Sequence, residues 1–146
     1  MTERGPRLHR SMTIPRVLAV YAFTLASFLV LDAIWLGLVA RGLYRRELGD
    51  LLATDVRWGA ALLFYLIYVA GLLALVVLPN RGGSVLPAAL LGGVFGLCAY
   101  AAYDLTNLAT IARWPVTVTA VDLVWGTLVT AAAAVSGLFA ARWLLS

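Results

Sequence analysis

The chain alternates between long apolar runs and short polar interruptions. Four runs stand out, at residues 17–40, 58–78, 86–107 and 116–140. Each reaches the roughly 20 residues that a helix needs to cross the hydrocarbon core of a bilayer. Pro6, Pro15, Pro79, Pro87 and Pro115 all fall at or outside the ends of these runs, as expected where the interiors are unbroken helix. Trp58, Trp114 and Trp143 also mark ends, where amphipathic rings favour the membrane interface. Trp35 and Trp125 do not, since they lie well inside the first and fourth runs.

The first interruption is RGLYRRELGDLLATDVR, residues 41–57. It mixes charges with Leu43, Leu48, Leu51, Leu52 and Val56 at roughly helical spacing. This predicts a short amphipathic helix over 43–56, lying in the interface. The other two connections, 80–85 and 108–115, are short, so consecutive helices should be antiparallel neighbours. The expected fold is all-α: an integral membrane four-helix bundle with an interfacial amphipathic helix between helices 1 and 2. Residues 1–16 form a polar, basic N-terminal tail, and 17–146 a single transmembrane domain. Tail and first run together have the outline of a signal peptide. The run is longer than the roughly 7–15 apolar residues of such a peptide and no cleavage site follows it, so it reads as an uncleaved first span.

Composition adds exclusions. All 11 basic residues are Arg, so no side-chain amine is available for a Schiff base and retinal cannot be bound covalently. Cys98 is the only cysteine and His9, in the tail, the only histidine. An internal disulfide is impossible, and His-ligated haem, zinc and di-iron sites lack ligands. No metal and no cofactor is expected. The net charge of +4 gathers in the tail and loops, which suits anionic lipid headgroups. No basic patch with interleaved aromatics points to nucleic acid. Six Arg lie on the side of the termini and Arg81 and five on the other. The positive-inside rule then favours cytoplasmic termini.

Against this background three acids are out of place. Asp32, Asp104 and Asp122 fall inside the first, third and fourth runs, where each costs about 2.5–3.5 kcal/mol at mid-bilayer. Such residues face a bundle interior and mark a functional site by default. Counted from the span ends, all three lie about 5–12 Å from the membrane face that bears the first and third connections. Tyr65, on the second run, falls at a similar depth. On the third run Ala88, Gly92, Gly96, Tyr100 and Asp104 recur every four residues, and on the fourth Asp122, Gly126, Thr130 and Ala134 do so. Small residues at this spacing mark close helix contacts, which turns both acids inward. Asp32–Trp35 and Asp122–Trp125 share one spacing that sets an indole beside each carboxyl on one helical face. The indole N–H is then placed to donate to the carboxyl of its own helix. The expected pocket comprises Asp32, Trp35, Tyr65, Tyr100, Asp104, Asn107, Asp122 and Trp125. The plainer alternative is a hydrogen-bonded network that only fixes helix register.

The runs LDAIWLG, YRRELGDLLA, FYLIYVAGL and AYDLTNLATIARWPVTVTAVDLVWG resemble the bacterial predicted membrane protein family called domain of unknown function 2177. The resemblance covers nearly all of the chain after residue 17. It implies a four-helix protein of the bacterial inner membrane with no established activity. Three functions remain open at this level. The first is binding or transport of a small cationic or lipid-like ligand. The second is a part in membrane lipid or fatty-acid modification, with the acids as proton donors and acceptors. The third is a structural subunit of a membrane complex. Expected partners are membrane lipids, such a ligand, and other membrane subunits.

Overall fold

A computed structural model describes residues 12–145. The expectations for His9 and for residues 1–11 of the polar tail lie outside the described residues. Four helical stretches are long and apolar enough to cross a membrane: Ile14–Val39, Trp58–Val77, Val85–Thr110 and Val116–Leu145. They are built from α1 (Ile14–Ile34), α3 (Trp58–Leu72), α4 (Val85–Thr110) and α5 (Val116–Leu145), with α2 (Arg41–Leu48) between the first two spans.

Three of the four spans, all but the second, are longer than the apolar runs, and the reasons are local. Pro15 and Pro87 lie in the first turns of α1 and α4 rather than outside them. A first-turn proline removes only an amide that has no helical partner. At the other end α5 continues past Ala140 because Arg142 lies within the helix. Its guanidinium reaches across to the carbonyls of Arg81 and Gly83 in the α3–α4 connection. A cation in the last turn also suits the helix dipole.

Two spans finish in a widened turn. Ala40 N–H donates to the Trp35 carbonyl (2.8 Å) and Leu78 N–H to that of Leu73 (2.9 Å), each closing a π-helical turn, Trp35–Val39 and Leu73–Val77. The interfacial helix is shorter than the periodicity predicts. It ends at Leu48 because Gly49 takes a left-handed φ of 48°, a conformation open to glycine at little cost. A short 3-10 turn, Gly49–Leu51, follows, and Leu52 is extended. The chain then runs irregularly to Trp58.

α5 is the axis of the bundle. It packs along α4 and α1, and touches the end of the second span at Leu73–Val77. The α4–α5 seam is made by small residues: Gly92 and Gly96 are buried against Gly126, Thr130 and Ala134, and Gly93 against Thr127 and Ala131. A methyl group at Gly96 would lie 2.1 Å from the Gly126 carbonyl oxygen, so the two backbones meet with no side chain between them. Phe28, Val69, Leu72, Val77, Val129 and Leu138 fill the core from α1, the second span and α5. Many large apolar residues face outward, among them Leu18, Ile67, Leu90 and Leu128. On a soluble protein such a surface would be sticky; in a bilayer it meets acyl chains.

Candidate functional site

α1 and α5 run antiparallel, and this decides how their acids are held. An Asp followed three residues later by a Trp ascends one helix and descends the other. Asp32 therefore stands level with Trp125, and Trp35 level with Asp122. The indole of Trp125 donates to Asp32 Oδ1 at 3.0 Å, and the Tyr65 hydroxyl donates to the other oxygen, Oδ2, at 2.5 Å. Trp35 donates instead to the Tyr44 hydroxyl at 3.1 Å, and the Tyr44 hydroxyl in turn donates a hydrogen bond to Asp122 Oδ1. The two indoles stack, with centroids 4.4 Å apart and planes 5° from parallel. The sequence expectation of each Trp serving the acid on its own helix is thus corrected. Trp125 reaches across to Asp32 on α1, whereas Trp35 is linked to Asp122 on α5 only through the Tyr44 hydroxyl.

Asp104, on α4, is held differently. The three acids are 5%, 0% and 9% exposed at Asp32, Asp104 and Asp122, so all face the bundle. Only Asp104 has both carboxyl oxygens buried without a hydrogen-bond partner among the described residues. A buried polar group in that condition is rare and costly.

The three acids border one cavity of about 510 Å³. Trp35, Trp125 and Tyr100 share its wall with them. The Tyr100 ring lies against Gly126 so closely that any side chain there would strike it. Two expected pocket residues stand elsewhere. Tyr65 is not on the wall but behind Asp32, which it anchors. Asn107 lies almost a turn beyond Asp104, outside the lining, and its carbonyl caps the end of α4 by accepting from Ile111 (2.8 Å).

The cavity also has walls that the polar pattern did not single out. Tyr44 and Leu48 come from α2, Leu52 from the segment after it, Phe64 from α3, and Tyr103 and Trp114 from the α4 end and its connection. Tyr103 and Trp114 meet edge to face at 5.7 Å, and Trp114 donates to Thr119 at 3.1 Å. Tyr44 could have been found from its place one helical turn before Leu48, on the apolar side of an otherwise charged segment. Burial raises its pKa above the usual tyrosine value, and the hydrogen bond to Asp122 adds to this. The hydroxyl therefore stays protonated and able to donate.

Chemically, the cavity combines three carboxyls, two stacked indoles and four phenol or indole rims with an apolar remainder. No curated protein and no solved structure matches the chain. The model of a family described as predicted membrane protein (DUF2177) matches residues 17–139, which span α1 to most of α5, and the chain belongs to that family.

Proposed function

We propose that the protein binds, or carries in a transport step, a small cationic or lipid-like ligand whose head is received by Asp104. The single observation behind this reading is the contrast among the acids. Asp32 and Asp122 have protein donors; Asp104 has none and borders the cavity. A carboxyl kept buried and unpaired costs about 1–3 kcal/mol, and a ligand bearing N–H donors or positive charge offsets that cost. The indoles and Tyr100 favour a cation further through their ring faces. The three carboxyls do not form a ligand set for a metal ion among the described residues, which favours an organic cation. The cavity also has the size of ordinary small-molecule sites, about 300–1,000 Å³.

The hydrogen bonds of Asp32 and Asp122 support a second, structural role for those two residues, bracing α1, α3 and α5 around the site. We also propose a bacterial inner-membrane location, as the family resemblance implies, with both termini cytoplasmic on the Arg distribution described above.

The test is thermal unfolding of the purified full chain in detergent with and without butylamine, which is protonated at neutral pH. Butylamine should raise the melting temperature of the wild type and leave that of Asp104→Asn where it stands. Equal amine-induced shifts in the two proteins, or none in either, overturn the reading.

A further inference from the structure

The walls of the cavity are uneven. α5 packs along α4 on one side and α1 on the other, but the second span is attached differently. α3 leans on α1, and its continuation Leu73–Val77 is the part that approaches α4 and α5. Phe95 of α4 packs on the body of α3, lying 5.3 Å from the Tyr68 ring and filling the space beside Gly71. Past Phe95, toward the α2 side of the bundle, the space between the two helices belongs to the cavity. Phe64 on α3 and Ala99, Tyr100 and Tyr103 on α4 border it there. Phe64 is 45% exposed and Tyr103 60%, so both are rim residues with one face to the outside.

Depth fixes what that outside is. Phe64 is six residues into its span, about 9 Å below its start, and Ala99 is eleven residues, about 16 Å, before the end of α4. A cleft at that height meets acyl chains, not water. We infer that the ligand is an amphiphile with a protonated amine head, which passes sideways from the bilayer between α3 and α4 and leaves its hydrocarbon chain in the cleft. This rests on the binding reading above and adds the ligand class and its route. The head meets Asp104, buried and unpartnered at the inner end. The chain lies against Phe64, Ala99 and Leu52, a wall that no fully polar solute needs. Between these ends the cavity holds the head and the first part of the chain, and the rest remains among lipids.

The experiment uses the full chain in phosphatidylcholine nanodiscs, with Trp58→Phe and Trp143→Phe so that Trp35, Trp114 and Trp125 report. The probe is dodecylamine brominated on its fourth carbon, within the part of the chain the cavity holds, with dodecanol brominated at the same carbon as its uncharged counterpart; bromine quenches nearby indole fluorescence. The amine should quench saturably and more tightly than the alcohol. Ala99→Phe, which fills the cleft, should weaken dodecylamine about tenfold more than it weakens butylamine, the loss of roughly two buried methylenes. Ala99→Leu, with a smaller effect of the same sign, serves if the Phe variant does not fold. Equal weakening of both amines overturns the lateral route, and equal quenching by amine and alcohol overturns the amine head. Asp104→Asn binding both amines as the wild type does overturns the underlying binding reading instead.

Discussion

The sharpest consequence of the three-acid arrangement is that one chemical change should have opposite signs at two positions. Truncating Asp32 to Ala removes the acceptor of two donors, Tyr65 O–H and Trp125 N–H. Each donor left unpaired costs about 1–3 kcal/mol. Tyr65 is only half-buried and can turn toward another partner, so the sum falls in the lower part of roughly 2–6 kcal/mol. Truncating Asp104 to Ala strands no donor, because none among the described residues reaches it. It removes a buried, unpaired polar group worth about 1–3 kcal/mol of destabilisation. The offsetting loss of packing stays below about 1 kcal/mol, since the side chain already borders a cavity into which neighbours relax. Asp32→Ala should therefore unfold at distinctly lower temperature than the wild type, and Asp104→Ala at a higher one. The assay is thermal or denaturant unfolding of detergent-purified protein, followed by tryptophan fluorescence, with no amine in the buffer. A drop at both positions, of similar size, would show that Asp104 is braced by the protein like the others and refute the reasoning.

Other expectations follow from particular contacts. Gly96→Ala should lower the melting temperature, because the added methyl meets the Gly126 carbonyl and Thr130 side chain and overpacking of this kind costs about 1–3 kcal/mol; Gly82→Ala, with nothing within 4 Å of the new methyl, is the control, and equal melts for the two would refute the tight seam. Replacing Trp35 or Trp125 by Phe should abolish the strong near-ultraviolet circular dichroism of a stacked indole pair, and a spectrum unchanged in both variants would exclude the stacking. The raised pKa of Tyr44 comes from burial first and its bond to Asp122 second, so its contribution to stability is intact below the unfolded tyrosine value of about 10 and is lost as pH rises above it. Tyr44→Phe should accordingly make the fall in stability above about pH 10 shallower than in the wild type, and an unchanged slope would remove Tyr44 from that account.

Much of the bundle is legible in the sequence because lipid imposes simple demands. A span must be long, apolar and free of interior proline, and residues 17–40, 58–78, 86–107 and 116–140 meet those demands openly. The four-residue stripes ending in Asp104 and starting at Asp122 also emerge buried, apart from the half-buried Tyr100, since small residues let α4 and α5 approach so closely. The ends of elements were less legible. Gly49 stops α2 by a backbone angle that the spacing of leucines does not encode, and Arg142 extends α5 because the carbonyls it bonds lie in a loop distant in sequence. Phe64, Tyr103 and Leu52 were equally hidden, as apolar residues whose role depends on a gap between α3 and α4 rather than on their own chemistry.

The crossed pairing of acids and indoles lies between these cases, and it bears on why three acids are present. Two Asp-x-x-Trp segments on antiparallel helices necessarily oppose each Asp to the other Trp, so the cross-brace follows from the repeat once the hairpin order is granted. What the repeat alone does not supply is the tyrosine donor at each acid. Tyr65 arrives from α3 and Tyr44 from α2, so each bracing carboxyl ties a further element to the α1–α5 pair. α2 is a short helix with no buried residue of its own, and Tyr44, reaching Asp122, is its polar anchor over the cavity. α3, weakly attached to α4 at this level, is likewise held toward α1 by Tyr65 on Asp32. The bracing acids thus hold α2 and α3 beside the cavity while leaving Asp104, buried on α4, free of protein donors among the described residues. A network serving register alone gains nothing from a third acid without a partner, because such a group destabilises the fold it is meant to fix. The division of the acids into two that are satisfied and one that is not is the arrangement expected of a site built to receive a donor from outside the chain.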